Sequence, residues 1–120
     1  MGETPADDPT LAEVVSLFDD EHVRTILAAT SAEPQSVEEL AERCGLSASN
    51  VYRRVGELAE ADLLAERTRP RADGHHESVY VATVDAFELE FADGEVSWSV
   101  ERSGTDVADE LTRLWGQFDR

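Results

Sequence analysis

The stretch SVEELAERCGLSASNVYRRVGELAEADLL, residues 36–64, decides the fold because it predicts two short helices with a tight turn between them. Ser36 is a suitable N-cap for the first helix, and Glu39 follows three residues later, where the second partner of a capping box belongs. Gly45 tolerates the left-handed backbone that ends many helices, and Ser47 is a suitable N-cap for the next helix. Two helices joined by so short a turn form the helix-turn-helix arrangement.

The second helix of this pair, predicted over 47–60, has two unlike faces. Val51, Val55 and Leu58 recur at helical spacing and predict the face that packs on the core. The opposite face is polar, and such a face can enter the major groove of DNA. Its candidate DNA-contacting residues are Ser49, Asn50, Tyr52, Arg53 and Arg54. For the helix pair alone, an ordinary helical hairpin with a solvated face remains the alternative.

A β-hairpin is predicted directly after the helix pair, over 64–83. Two runs of strand-like composition, 64–69 and 78–83, are separated by a polar loop that contains Pro and Asp-Gly turn signals. A hairpin in this position is the wing of a winged helix, which lies along the DNA backbone or in the minor groove. The wing arginines placed for such contacts are Arg67, Arg69 and Arg71.

Residues 87–100 predict a second hairpin, because Asp93-Gly94 is a strong signal for a two-residue turn. Folding about this dipeptide pairs Phe91 with Val96, Leu89 with Trp98 and Phe87 with Val100. All six apolar side chains then share one face of the ribbon. Since two strands alone are marginally stable, this face must pack on something.

Two amphipathic helices are predicted at the ends of the chain. One begins with Asp8 as N-cap and Pro9 at the first helical position, and the other runs from Thr105 to Phe118. Their apolar stripes could complete the monomer core or pair with a second copy. We predict a homodimer, because a helix-turn-helix protein that reads a two-fold site needs two recognition helices about one DNA turn apart. The predicted dimerisation residues are Leu11, Val15, Phe18, Leu111, Leu114, Trp115 and Phe118.

The charge is extreme, with 27 acids against 10 bases, a net charge of −17, and arginine as the only base besides histidine. Such a surface suits a cytoplasm of molar salt, where repulsion is screened over about 3 Å, so we predict a halophilic, cytoplasmic protein. An acidic protein that mimics nucleic acid or docks on a basic partner is the alternative. Residues 47–84 hold five of the ten arginines but only six of the acids, as expected for a DNA-binding face on an acidic protein.

With 120 residues, the chain has room for one domain and hardly for two. The predicted fold class is α+β, a winged helix-turn-helix with an added C-terminal β-hairpin and helix. We predict a disordered tail over 1–7, the DNA-binding domain over 8–84, and the hairpin with its packing helix over 85–120 in the same compact domain. No transmembrane run, secretory signal, phosphate loop or catalytic constellation is visible, which predicts no membrane partner, no cofactor and no enzymatic activity.

The run FDDEHVRTILAATSAEPQSVEELAERCGLSASNVYRRVGELAEADLLAERTRPRADGHHESVYVA resembles the winged-helix regulators of the ArsR type, in particular the small acidic ArsR-like proteins of halophilic archaea. The resemblance covers roughly residues 10–84, and less specifically the ribbon and last helix. It implies a sequence-specific, dimeric transcriptional regulator, usually a repressor, and groove-facing positions for the five candidate residues of the second helix. Metal-sensing relatives carry paired thiols in the preceding helix, whereas this chain has the single Cys44 there, so no metal site is predicted and the effector is unknown.

These observations predict a regulator of double-stranded DNA that reads the major groove with the helix 47–60 and the backbone or minor groove with the wing 64–83. Asn50 can pair with adenine, and Arg53 or Arg54 with guanine. A winged-helix protein–protein interaction module without specific DNA binding is the alternative, and an enzyme is the least favoured class.

Overall fold

The structure is a computed structural model that describes residues 9–102. The tail predicted over 1–7 and the helix predicted from Thr105 to Phe118 lie outside the described residues. The chain divides into two compact units, one ending at Ala82 and the other beginning at Thr83. The domain limits predicted from the sequence, including one compact domain for 8–120, stay predictions.

The described part of the first unit has four helices followed by an antiparallel hairpin. Its elements are α1 (Leu11–Asp19), α2 (Glu21–Ala32), α3 (Val37–Cys44), α4 (Ala48–Glu60), β1 (Leu64–Pro70) and β2 (His76–Ala82). The second unit contains a single antiparallel hairpin in its described part, made of β3 (Val84–Ala92) and β4 (Glu95–Arg102). The α+β winged helix-turn-helix fold predicted from the sequence is confirmed. Among the described residues, no helix is long and apolar enough to span a membrane.

The first helix begins later than predicted. Thr10 is the N-cap of α1, because its hydroxyl oxygen accepts the Glu13 N–H at 3.2 Å and the Glu13 carboxylate accepts the Thr10 N–H at 2.7 Å. The prediction that Asp8 caps this helix is therefore wrong. The capping box satisfies two backbone N–H groups reciprocally, whereas an Asp N-cap satisfies one.

The helix-turn-helix pair has the local structure that its sequence predicts. Ser36 and Glu39 form the predicted capping box at the start of α3, and Gly45 ends that helix in the left-handed conformation with φ 67° and ψ 36°. Ser47 caps α4, because the Ser47 side-chain oxygen accepts the Asn50 N–H. These caps hold the two helices on either side of a turn from Gly45 to Ser47.

The core of the first unit lies where the helices meet the base of the wing. Its fully buried large side chains include Val14, Val23, Ile26, Leu40, Val51, Leu58, Leu63 and Val79. The predicted inner face of α4 is confirmed, since Val51, Val55 and Leu58 are all buried. Burial of large apolar side chains stabilises such a core by about 1.5–3 kcal/mol each, which fixes the orientation of α4.

The wing is tied to the helix pair at its base. Helix α2 continues to Ala32, and Gln35 forms a β-bridge with Tyr80 of β2. The Gln35 N–H donates to the Tyr80 carbonyl at 3.1 Å and the Tyr80 N–H donates to the Gln35 carbonyl at 2.8 Å. This short strand contact positions the wing immediately before α3 begins.

The ribbon of the second unit folds as its sequence predicts. Phe87 pairs with Val100, Leu89 with Trp98 and Phe91 with Val96 in an antiparallel register. Asp93 and Gly94 both have positive φ, 54° and 78°, as a type I′ turn requires.

Candidate nucleic-acid interface

The outer face of α4 offers polar side chains to the surroundings, as predicted. Ser49 and Asn50 are exposed, Tyr52 exposes 58% of its surface, and the Arg53 side chain exposes 55%. All four residues lie on the same helix as Val51 and Leu58, which are fully buried. The packing of these two side chains in the core therefore sets the direction in which the outer face points. Exposed polar and aromatic side chains on a helix that is packed firmly on the core are suited to contacting a groove of a partner molecule.

Hydroxyl groups orient the first turn of α4. The Ser47 Oγ accepts both the backbone N–H of Asn50 at 3.3 Å and its side-chain Nδ2 at 3.1 Å, and it lies 3.2 Å from the Ser49 Oγ. The Asn50 amide therefore keeps one N–H and its carbonyl oxygen for another partner. Those two groups are the ones with which Asn pairs bidentately with adenine.

The two adjacent arginines of α4 have different surroundings. Arg53 makes only a loose ion pair with Glu57 on the next turn, with 3.6 Å between Nη1 and Oε2. The Arg54 side chain exposes only 12% of its surface, and its Nε donates to the Asp20 Oδ2 at 2.9 Å. Arg53 thus points outward, whereas Arg54 holds α4 to the N-terminus of α2.

Asp20 has two tasks at this contact. Its Oδ1 accepts the His22 N–H at 2.9 Å, which caps α2, and its Oδ2 accepts from Arg54. Burial by itself would raise the pKa of Asp20, but the hydrogen bond from His22 and the guanidinium of Arg54 hold that pKa below its ordinary value. Asp20 is therefore a charged link between α2 and α4.

Arg69 of the wing lies between two carboxylates. Its Nε and Nη2 donate to the Glu77 Oε1 at 2.9 and 2.7 Å, and its Nη2 also lies 3.3 Å from the Glu39 Oε1. The hydrogen bonds that Arg69 donates to Glu77 and Glu39 raise the pKa of Arg69 above its ordinary value. Because the same Glu39 oxygen accepts the Ser36 N–H at 2.7 Å, Arg69 joins the wing to the N-cap of α3.

The other two wing arginines reach further out. Arg71 is half-exposed and makes long ion pairs, 3.9 Å to Asp73 and 3.7 Å to Glu77. Arg67 is exposed and donates from Nη1 to the carbonyl oxygen of Glu66 at 3.1 Å. Among the three, Arg67 and Arg71 are the better placed to reach a phosphate, and Arg69 the least.

Acidic side chains follow the polar face of α4 toward its C-terminus. A groove of about 700 Å³ lies between α1 and this half of α4, and Glu13, Glu57 and Glu60 line it beside Arg53. Carboxylates repel phosphate, so this half of α4 is electrostatically less suited to contact with nucleic acid than the stretch from Ser49 to Arg53.

The acidic partners of the arginines were missed by sequence reasoning. Arg69 and Glu77 lie directly opposite each other in the hairpin register, so the predicted wing could have revealed this pair. Asp20 and Glu39 could not be assigned in the same way, because they lie 34 and 30 residues from their arginines. Only the tertiary structure brings these groups together.

The lone thiol is not in a reactive setting. The Cys44 Sγ lies 4.0 Å from the His22 carbonyl oxygen, and burial raises the pKa of Cys44. The thiol form is therefore favoured over the thiolate that binds metals. Over residues 9–102, no group of three or more potential metal ligands comes together.

The predicted dimerisation residues are only partly within the described chain. Leu11 and Phe18 of α1 are half-buried and Val15 is exposed, whereas the neighbouring Val14 is fully buried in the core. Leu111, Leu114, Trp115 and Phe118 lie outside the described residues. Nothing in the described part tests the predicted dimer.

The sequence and structure were compared with known proteins. A family model described as a helix-turn-helix domain matches residues 18–67. A possible transcriptional regulator from Methanosarcina mazei Go1 is similar in structure, with 15% identity, 59% of this chain and 62% of that chain covered, and a TM-score of 0.48. NolR from Sinorhizobium fredii is 21% identical, with 86% and 78% covered and a TM-score of 0.47. No curated protein matches the chain.

The family match coincides with the candidate interface. Residues 18–67 contain α2, α3, α4 and the start of β1, and therefore the contact between Asp20 and Arg54 as well as the outer face of α4. The first unit accordingly contains a helix-turn-helix domain within a winged-helix fold.

Proposed function

We propose that the chain is a sequence-specific DNA-binding transcriptional regulator, an ArsR-like repressor that reads double-stranded DNA. The observation that carries this proposal is the outer face of α4, where Asn50, Tyr52 and Arg53 are exposed on a helix whose inner face is fully buried. A recognition helix needs both properties, because its side chains must reach base edges while the core fixes its direction. The helix-turn-helix match over 18–67 supports the same assignment.

Direct readout divides among the residues of α4. Asn50 pairs with adenine through its amide, and Arg53 pairs with guanine through its guanidinium fork. Ser49 and Tyr52 contact phosphate, or in the case of Tyr52 a thymine methyl group. The loose pair between Arg53 and Glu57 supports this role, since an exposed pair of this kind is worth about 0.3–0.5 kcal/mol and opens readily.

Arg54 and Arg69 have a positioning role in this proposal, and the remaining wing arginines contact the DNA backbone. Arg54 orients α4 through Asp20, and Arg69 orients the wing through Glu77 and Glu39. Arg67 and Arg71 contribute phosphate or minor-groove contacts, which carry no base preference by themselves.

The acidic composition sets the balance of binding energies. In a halophilic cytoplasm of molar salt, counterion release contributes little, so phosphate attraction gives little affinity. Base contacts and shape complementarity must then supply most of the affinity, which fits a protein with few outward-directed arginines. A homodimer, with Leu11, Val15, Phe18 and the C-terminal apolar stripe at its interface, would present two such helices to a two-fold site.

Selection from random double-stranded DNA at molar KCl tests the proposal without knowledge of the regulated gene. We expect enrichment of an inverted repeat with half-sites about 10–10.5 base pairs apart, or a multiple of that spacing. A selected site should bind with a preference over scrambled DNA that Arg53→Ala reduces. Failure to enrich any sequence, by protein shown by circular dichroism to be folded in that buffer, would contradict the proposal.

A protein-docking module is the second candidate, and one observation favours it. Arg69 and Arg71 are both paired with acids of their own hairpin, so the wing has less free positive charge than its sequence indicates. A module of this kind would bind a basic partner through its acidic surface. It would enrich no DNA sequence in the same selection.

A further inference from the structure

The hydroxyl of Ser47, at the start of α4, has more partners than an N-cap needs. An N-cap side chain serves its helix by accepting a backbone N–H, and the Ser47 Oγ accepts that of Asn50 at 3.3 Å. The same oxygen also lies 3.1 Å from the Asn50 Nδ2 and 3.2 Å from the Ser49 Oγ. These two additional contacts join a residue outside the predicted DNA-contacting set to two residues within it. Ser47 is therefore a candidate for positioning the side chains that would read DNA.

The donors and acceptors at Ser47 fix the direction of each of these hydrogen bonds. A serine hydroxyl has two lone pairs and one O–H donor. Both lone pairs of Ser47 are occupied, because the backbone N–H and the Nδ2 of Asn50 can only donate. At the third contact Ser47 must therefore donate, and the Ser49 Oγ accepts. Ser49 then keeps its own O–H for an acceptor beyond the helix, such as a phosphate oxygen.

The contact at Nδ2 matters because an asparagine amide has two orientations. Rotation about its last side-chain torsion exchanges Oδ1 and Nδ2, and this torsion has only a weak preference between the two positions. The hydrogen bond to Ser47 holds the nitrogen of Asn50 on the side of the helix start. Asn50 therefore presents one N–H and the Oδ1 acceptor to its surroundings.

Adenine and guanine differ in what they offer to such an amide. At the edge that lies in the major groove, adenine has the acceptor N7 and a donor on N6, whereas guanine has the two acceptors N7 and O6. An amide that presents one donor and one acceptor matches adenine. An amide that rotates freely can also turn its nitrogen toward the two acceptors of guanine. Holding the Asn50 amide in one orientation therefore disfavours guanine more than adenine.

We infer that Ser47 is a positioning residue that sets the preference of Asn50 for adenine over guanine. This inference rests on the proposed function, in which α4 reads base edges. The cap and the amide contact use different lone pairs of the same oxygen, so a substitution can separate them. Because Ser47 and Asn50 are exposed and water competes for the amide, loss of the hydroxyl weakens the preference severalfold without abolishing it.

Three substitutions separate the positioning role of Ser47 from its role as a cap. Ser47→Gly removes the hydroxyl but leaves an acceptable N-cap, and Ser47→Thr retains both the hydroxyl and the cap. Ser36→Gly is the matched control, because it removes the N-cap hydroxyl of α3, whose partner is the Glu39 N–H. Asn50→Ala first identifies the base pair that Asn50 reads in the site selected at molar KCl. Competition between sites with adenine or guanine at that position then gives the affinity ratio for each variant.

We expect Ser47→Gly to lower the adenine-to-guanine affinity ratio severalfold at this position and to leave the ratios at the other positions intact. Ser47→Thr and Ser36→Gly should keep the wild-type ratio, and any loss of affinity should be the same for both bases. An unchanged ratio in Ser47→Gly, or an equal loss in Ser47→Thr, would overturn the inference and leave the proposed function standing. A normal base preference in Asn50→Ala would overturn both the inference and the assignment of Asn50 to base reading.

A measurement without DNA tests the contact itself. Nuclear magnetic relaxation of the Asn50 side-chain amide reports how freely this group moves in the folded protein. The amide should be restrained in wild type and in Ser47→Thr and more mobile in Ser47→Gly, because only the first two supply the hydroxyl acceptor. Equal mobility in all three proteins would overturn the inference whether or not the protein reads DNA.

Discussion

Helix α4 and the wing both carry arginines, but the surroundings of these arginines differ. On α4, Arg53 is half-exposed and its ion pair with Glu57 is long, at 3.6 Å, whereas Arg69 of the wing is held by two carboxylates at 2.7–3.3 Å. In this chain of net charge −17, Arg54 and Arg71 are also paired with carboxylates. The difference favours the proposal that α4 reads the DNA sequence and that the wing mainly holds α4 and the helix pair in position.

The largest expected effect separates the two faces of α4. Leu58→Ala removes a fully buried side chain and should lower the free energy of unfolding by about 2–5 kcal/mol. Tyr52→Ala, on the exposed face, should change it by less than about 0.5 kcal/mol but should weaken DNA binding. Denaturant unfolding and anisotropy on both variants check this. Equal losses of stability would mean that Tyr52 belongs to the core and that the outer face is wrongly assigned.

A smaller effect separates the two arginines of α4. Arg54→Ala breaks a half-buried pair with Asp20, so its cost should fall between that of a surface pair, below about 1 kcal/mol, and that of a buried pair, about 3–5 kcal/mol. Arg53→Ala should cost only about 0.3–0.5 kcal/mol of stability. Chemical denaturation of the two variants at one salt concentration measures the difference between their free energies of unfolding. Equal free energies would mean that Arg54 faces the groove without holding α4 to α2.

Acidification tests the carboxylate that joins the helix pair to the wing. The Ser36 N–H lowers the pKa of Glu39 and Arg69 lowers it further, so the ionised form is favoured in the folded state. This contribution to stability is complete above the ordinary pKa of about 4.3 and is lost as the pH falls through the lowered pKa. The stability difference between wild type and Glu39→Gln should therefore shrink on acidification. Glu38→Gln, one residue away, is the control, and a gap independent of pH would contradict the assignment.

The smallest effect concerns the wing and is best seen in the salt dependence of DNA binding. If Arg67 contacts a phosphate, Arg67→Ala should reduce the slope of log K against log salt by about 0.9. Arg69→Ala should lower affinity by displacing the wing and leave the slope unchanged, because no phosphate contact is lost. DNA-binding titrations of both variants at a series of KCl concentrations measure the two slopes. A reduced slope for Arg69→Ala and an unchanged slope for Arg67→Ala would mean that Arg69 contacts phosphate and Arg67 does not.

Local features of the fold could be predicted from the sequence. The capping box at Ser36, the left-handed Gly45 and the register about Asp93-Gly94 each depend on residues within a few positions of one another. The predicted start of α1 was wrong because the sequence offers two N-cap residues close together. The capping box of Thr10 and Glu13 starts the helix instead of Asp8. Where signals are short-ranged and unopposed, sequence patterns are enough.

The electrostatic setting of the interface could not be predicted in the same way. The partners of Arg54 and Arg69 depend on how α2, α3 and β1 pack, which no local pattern specifies. Charge counts alone predicted five available arginines, whereas two of them, Arg54 and Arg69, serve as links between elements. Composition therefore predicts where a candidate interface lies, and geometry is needed to say which of its arginines are held by carboxylates.

Binding of wild type, Arg53→Ala and Arg54→Ala to every single-base variant of the selected site tests the central claim most directly. Arg53→Ala should abolish the preference at one base pair of each half-site, worth about 1–3 kcal/mol, and leave the other preferences intact. Arg54→Ala should weaken binding to all variants by the same factor, because it acts through the orientation of α4. Equal loss on every variant for Arg53→Ala, or a lost base preference for Arg54→Ala, would contradict the assignment of sequence reading to the exposed face of α4.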